Sequence, residues 1–452
     1  MTRYELQQLV QSQLYTLLTQ ENLDGAKALL EPVEPVDIAE AIEGLPAQMQ
    51  AIAFRLLSKE EALQVYEHFR WSTQQALVEK FKRQDVIDIF GKMSPDDRVR
   101  LLDELPATVV RRLIEAISPE EREATAMLLG YPPETAGRLM TPRYVALQQT
   151  NTVAETLEQI RDFAEVSETI YYLYVIDAER HLVGILSLRE LVSARPHETI
   201  AEIMKPKVIS VVTETDQEEV ARIMQRYDFV ALPVVDKEQR LVGIITVDDA
   251  LDVLQAETTE DIYTLGGLQS GKENYFNLNL FTVARRRVVW LLVLLVANTF
   301  TGTIMQTQEE VLEAVVALAF FVPLLIDTGG NVGAQSSTVV IRGLSTEEIP
   351  QKATLRVIGR ELIAGAFLGG MLAAITIAWA YWLQDDLQVA IVVGISLFAI
   401  SLLASLAGSG LPFLFRWLKR DPALMSAPFI TTIVDVLGVS IYFMVARAIL
   451  QI

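Results

Sequence analysis

A single aspartate, Asp435, sits in the apolar run between Ser426 and Gly438, and no lysine or arginine occurs between Asp421 and Arg447. An ionisable group at membrane depth is costly and by default marks an ion or proton pathway. A carboxylate without a basic partner is a natural ligand for a hard cation. On a helix, Ala427 or Pro428, Thr431 or Thr432, Asp435 and Val439 share one face, so hydroxyls and a carboxylate stand together. Asp421 before Pro422 reads as a cap with proline at the first helical position. The competing expectation for Asp435 is a structural acid, protonated or hydrogen-bonded inside packed protein.

A second polar run lies upstream, from Pro323 through Asp327, Gly329, Gly330, Asn331, Gly333 and Gln335. Irregular backbone at membrane depth is tolerated where it lines a cavity or is buried in protein. The run therefore predicts a broken span beside a pathway; tight helix packing through small residues is the alternative.

Composition narrows the chemistry. The 452 residues include no cysteine and three histidines, His68, His181 and His197, scattered outside the apolar third. Disulfides and thiolate centres are excluded, and a histidine-rich metal site is not expected. No Walker motif, nucleophile–histidine pair or zinc signature is present, so no enzymatic activity is expected. The net charge is −20, yet residues 281–452 carry eleven acids and eleven bases, so the excess acid lies wholly in residues 1–280. Such a surface suits cations and argues against nucleic acid. No signal peptide is visible, which predicts a cytoplasmic amino-terminal part.

The elements that must position Asp435 are five apolar segments, drawn at 288–306, 311–338, 360–383, 388–415 and 424–450. Each is long enough for a hydrocarbon core that needs about 20 residues. The segments 285–287, 342–360 and 416–420 hold ten of the eleven bases of this part. The positive-inside rule then places the soluble part in the cytoplasm and the carboxyl terminus outside.

Upstream, residues 1–130 read as short helices, with starts at Ser58-Lys-Glu-Glu61, Ser94-Pro-Asp-Asp97 and Ser118-Pro-Glu-Glu121, in a superhelical array or an ordinary bundle. Residues 131–262 contain two similar α/β units about 60 residues apart. Met140-Thr-Pro142 and Met204-Lys-Pro206 open them. Strands ending at Asp177 and Asp236 follow, then Leu182-Val-Gly184 and Leu241-Val-Gly243. This pattern resembles a tandem pair of CBS domains. The resemblance implies a disc with clefts for an adenine nucleotide such as ATP, to which Tyr172, Arg189 and Phe229 correspond. Glu190 stands where that family often has aspartate.

The P-x(5)-G-G-N-x-G-x-Q run from Pro323 and the Asp421-Pro-Ala-Leu run leading to Asp435 resemble the MgtE family of magnesium channels and transporters. So does the order of parts, along nearly the whole chain. The resemblance implies a multidomain membrane protein: an all-α helical domain (1–130), an α/β CBS pair (131–262), a connecting, plug-like helix (263–284) and an α-helical five-span domain (285–452). It implies a homodimer in the cell membrane whose pore takes Mg²⁺, with Asp435, Thr431, Thr432, Gly329, Gly330 and Asn331 as pore residues. It further implies Mg²⁺-sensing acids between the soluble domains: Asp96, Asp97, Asp216, Glu218, Asp228, Asp249, Asp252, Glu257, Glu260 and Asp261. Bound ions would draw the domains together and close the pore. The chain departs from the family pattern at Ala427, Asp327 and Arg100. The alternatives are a gradient-coupled carrier of divalent ions, Mn²⁺ or Co²⁺ included, and a nucleotide-sensing membrane signalling protein.

Overall fold

The computed structural model describes residues 3–451 except 21, 71–72, 75–76, 78–89, 104, 165–166, 269–279, 347 and 420–426. Half of the connecting segment, residues 269–279, and the expected Asp421 cap lie outside the described residues. The chain forms two compact units, one made essentially of residues 1–257 and one of the remainder.

Short helices open the first unit: α1 (Arg3–Thr19), α2 (Leu23–Leu30), α3 (Pro35–Glu43), α4 (Ala47–Arg55), α5 (Lys59–Glu67), α6 (Pro95–Asp103), α7 (Ala107–Ala116) and α8 (Pro119–Leu129). Their starts follow the capping chemistry. Ser58 accepts from the Glu61 amide at 3.2 Å, and the Glu61 carboxylate accepts from the Ser58 amide at 3.0 Å. Ser118 accepts from the Glu121 amide at 3.2 Å. Leu14, Ile38, Ile42, Val65, Tyr66 and Phe90 are among the buried residues of their shared core.

Two equivalent α/β repeats follow. The first contains α9 (Ala136–Leu139), β1 (Ala146–Gln148), α10 (Val153–Phe163), β2 (Tyr172–Ile176), β3 (Leu182–Ser187) and α11 (Leu188–Ser193). The second contains α12 (Ile200–Ile203), β4 (Val211–Val212), α13 (Gln217–Tyr227), β5 (Ala231–Val235), β6 (Leu241–Thr246) and α14 (Val247–Leu265). Each sheet has a parallel outer pair and an antiparallel hairpin, and the ladder shifts register after the same place, Val175 opposite Gly184 and Val234 opposite Gly243. The repeats lock by exchange. Met140 packs on Gly243 and Met204 on Gly184, where an added Cβ would lie 2.6 and 2.5 Å from the methionine sulfurs. Backbone bridges Thr141–Ile244 and Lys205–Ile185 accompany these contacts. Glycine is needed at both positions because the sulfur takes the space of a side chain.

The second unit holds α15 (Leu280–Thr307), the short α16 (Glu309–Ala314), α17 (Ala317–Ser345), α18 (Thr354–Gln384), α19 (Leu387–Trp417) and α20 (Ala427–Leu450). Five of these helices are long and apolar enough to cross a membrane. Asp385, in the left-handed region at φ 51°, ends α18; Asp386 caps α19 by accepting from the Gln388 and Val389 amides at 2.8 and 3.2 Å.

The expected break in the second span is not found. α17 runs unbroken from Ala317 to Ser345 with Pro323 inside it. Its glycines serve close approach instead. An added Cβ at Gly329 would lie 2.5 Å from Ile400, at Gly330 2.6 Å from Thr431, and at Gly333 2.9 Å from Ile430. The backbone there stays inside the helical ladder because the small residues bring α19 and α20 against it.

Candidate functional site

Gly333 opposes Ile430, Gly330 opposes Thr431 and Gly329 opposes Val434, so α17 and α20 run antiparallel in contact. Extended by one turn, this register brings Asp327 level with Asp435. The charges of these two acids act on each other. Asp435 is partly buried, and its Oδ1 is enclosed without a hydrogen-bond partner. Asn331 Nδ2 donates to Asp327 Oδ2 at 3.3 Å, and both residues are exposed. Thr432 donates to the Pro428 carbonyl at 2.9 Å, which leaves its oxygen free to accept. Tyr442 ties α20 to α17 by donating to the Leu318 carbonyl at 2.9 Å. The expected patch of Thr431, Thr432, Asp435 and Asn331 therefore lies along one helix pair, while Gly329 and Gly330 are buried and set its spacing.

The second group of acids lies in the first unit. Arg98 fixes the helix that carries it. Its side chain is fully buried and donates to the carbonyls of Phe90 (2.9 Å), Met93 (2.8 Å) and Glu121 (3.1 Å), to Thr125 Oγ1 (2.8 Å) and to Glu121 Oε2 (2.5 Å). Arg143, just past the first methionine–proline motif, donates to Glu121 Oε1 at 2.8 Å. With Arg98 so held, α6 presents Asp96, Asp97 and Arg100 to the start of α14.

There Arg100 donates to Asp249 Oδ1 at 3.0 Å and to Asp252 Oδ2 at 2.9 Å. Asp96 is 4% exposed and near enough to Asp249 for the two charges to act on each other, yet its Oδ1 finds no donor. Two charged carboxylates approach in this way only with a proton or a cation to offset their repulsion. Burial, then the charge of Asp97, raises the Asp96 carboxyl; burial, then Asp96, raises that of Asp249 against the pull of Arg100.

Two rim acids complete the seam. Desolvation by the neighbouring chain, then the charges of Asp97, Asp96 and Asp248, pushes the carboxyl of Glu67, itself exposed to solvent, up to about 7. Desolvation, then Asp96, Asp97 and Asp248, does the same to Glu168, likewise exposed and also about 7, with Arg143 opposing. The orphaned Asp96 oxygen and the all-carboxylate donor set fit a hard divalent cation.

The sequence reading missed Glu67 and Glu168. They are distant in sequence from Asp96, and no motif marks them. Of the other expected acids, Asp216, Glu218, Asp228 and Glu257 lie on or beside α13. Asp216 caps α13 by accepting from the Glu218 amide at 2.9 Å, and Glu218 is ion-paired with Arg222. Asp228 ends α13 in the left-handed region at φ 55°. Glu257 accepts from Gln217 Nε2 at 2.7 Å. These serve the second repeat, because a short helix between strands needs its ends capped. Glu260 and Asp261 fall on the part of α14 that belongs to the other unit.

Of the nucleotide candidates, Tyr172 pairs with Ser187 across the β2–β3 ladder, two residues before Arg189. Phe229 stacks on Tyr227 at 5.4 Å and packs against the second repeat's core. Glu190 is engaged: it accepts from the Ser187 amide and hydroxyl, both at 2.8 Å, and pairs with Lys205 at 2.6 Å.

Residues 322–445 match the divalent cation transporter family MgtE, 33–134 the MgtE intracellular N domain, and 136–197 and 200–256 the CBS domain. The chain is 41% identical over 442 residues to the magnesium transporter MgtE of Thermus thermophilus, covering 97% of this chain and 98% of that protein. It is 36% identical over 436 residues to the magnesium transporter MgtE of Bacillus subtilis, covering 96% and 95%. A crystal structure of the cytosolic domain of the Mg²⁺ channel MgtE in complex with ATP is 40% identical; it covers 54% of this chain and 99% of that one at a TM-score of 0.51. The soluble part of a magnesium transporter is 30% identical, covers 56% of this chain and 99% of its own, and has the same TM-score of 0.51. A helical domain, a CBS pair and five membrane-length helices, matched from end to end, establish that this chain belongs to the MgtE family of magnesium transporters.

Proposed function

We propose that this chain forms a homodimeric Mg²⁺ pathway that intracellular Mg²⁺ closes. The observation that carries the reading is Asp435, whose enclosed Oδ1 lacks a protein partner on a helix face with Thr431 and Thr432. Mg²⁺ keeps octahedral oxygen geometry and loses water reluctantly. A carboxylate flanked by hydroxyl acceptors holds such an ion through its water shell, tightly enough to select and loosely enough to release. Asn331 and Asp327 extend the polar lining on α17. The amino-terminal parts lie in the cytoplasm and the carboxyl terminus outside, as the distribution of basic residues favours.

Closure is the work of the acidic seam. Asp96, Asp97, Glu67, Glu168, Asp248 and Asp249 repel one another without a cation, and Mg²⁺ between them favours the assembled arrangement. A ligand shifts such an equilibrium only by its differential affinity for the two states. The CBS pair binds an adenine nucleotide beside Tyr172 and Arg189; the ATP complex of the 40% identical cytosolic domain supports this.

The test is Mg²⁺ uptake into vesicles reconstituted with the full chain, with and without a proton gradient. Uptake in the absence of any gradient other than that of Mg²⁺ is expected, and dependence on protons or sodium refutes the channel reading. Deleting residues 1–130 is expected to loosen closure by Mg²⁺ on the soluble side while transport persists. Unchanged closure refutes the sensor.

A further inference from the structure

The acidic seam already contains a cation. Arg100 lies one turn beyond Asp96 on α6, 4.0 Å from Asp97 and in hydrogen-bonded ion pairs with Asp249 and Asp252 on α14. Those two acids are three residues apart on one helix, so they present their carboxylates to the same side. A planar guanidinium spans such a pair, which a single ammonium cannot do. The Arg100 side chain is only 24% exposed, and Asp249 is 8% exposed. The pair is thus screened less than a surface pair.

We propose that Arg100 is a tethered counter-ion that takes the place of one divalent cation between the helical domain and the CBS pair. Its donors fill the oxygens of Asp249 and Asp252 that face α6. A divalent ion at the same corner would meet a fixed positive charge. Ion binding is therefore directed to the remaining acids, Asp96 with its unpartnered Oδ1, Asp248, Glu67 and Glu168, whose charges act on one another. The first part of closure then needs no metal, and fewer ions are taken up than the count of acids suggests. This rests on the reading that Mg²⁺ closes the seam.

The experiment uses the full chain in nanodiscs. The absence of cysteine allows spin labels at Arg111→Cys on α7 and Glu158→Cys on α10, both exposed positions. The ratio of compact to open label distances is measured in chelator and across a Mg²⁺ titration. For Arg100→Gln the compact-to-open ratio in chelator is expected to fall at least about fivefold, the lower end of typical coupling between sites. The Mg²⁺ dependence is expected to steepen, because an additional ion enters the vacated corner. Arg100→Lys, which keeps the charge and loses the fork, is expected to fall between. If Arg100→Gln does not fold, Asp252→Asn, at a 57% exposed side chain, gives the same readout with a smaller drop. A wild-type protein blind to Mg²⁺ overturns the sensor itself. A responsive wild type, with either variant unchanged in chelator, overturns the role of Arg100 alone.

Discussion

Replacing Arg98 with methionine keeps much of the volume of the side chain and removes every donor it supplies. The carbonyls of Phe90 and Met93 lose charged partners at 2.9 and 2.8 Å, and Glu121 keeps only Arg143. Thr125 still donates to the Glu121 carbonyl at 2.6 Å, so that acceptor is not orphaned. Each stranded acceptor costs about 1–3 kcal/mol, while Glu121, 25% exposed and still paired with Arg143, adds less than a broken buried pair. These terms overlap, so a net loss of about 4 kcal/mol is the working figure. For a unit of this size that lowers the midpoint by roughly 10 °C. Scanning calorimetry of the full chain, following the transition of the soluble unit, measures it. Because Arg98 orients α6, Mg²⁺-dependent compaction should weaken even below the new midpoint. A shift under about 3 °C would refute the reasoning, since five bonds to a fully buried guanidinium would then contribute no more than a surface pair.

Acidity should close the metal-free seam. Glu67 and Glu168, both exposed to solvent, rise to about 7 from an ordinary 4.5 through desolvation and the charges of Asp96, Asp97 and Asp248, with Arg143 opposing at Glu168. A raised carboxyl opposes assembly above its assembled value, and the penalty is relieved as pH falls through 7 toward 4.5. In chelator the compact label distance should therefore gain several-fold between pH 8 and pH 6, and an equal ratio at both would contradict the seam. In the membrane unit, Gly408→Ala puts a Cβ 2.3 Å from the Gly333 carbonyl oxygen, which cannot rotate away. It should push α17 and α19 apart and abolish transport or the folded oligomer, read by uptake and size exclusion; wild-type behaviour would show that the contact is not needed.

Legibility in the sequence followed local chemistry. Serine caps with acids three residues on, β-branched strands at period two and apolar segments of membrane length carry their own signals, and these elements lie close to where they were expected. The exchange of Met140 and Met204 between repeats was hidden, because it pairs each methionine with a glycine of the other repeat. The glycines of α17 were misread for a related reason. Gly329, Gly330 and Gly333 signal either irregular backbone or a neighbour at close range, and only the partners Ile400, Thr431 and Ile430 decide. The acids were legible as a class but not as a set. Asp216, Glu218 and Asp228 cap or pair along α13, a local role visible only once that helix is placed, and Glu67 and Glu168 enter only through tertiary proximity.

The most direct test of the account is Mg²⁺ flux through Asp435→Asn in reconstituted vesicles, at equal protein incorporation and with the oligomer verified. Asparagine preserves size and one oxygen but removes the charge that holds a hydrated dication. The account predicts loss of Mg²⁺ flux in a folded protein. Flux at the wild-type level would contradict it and make Asp435 a structural acid.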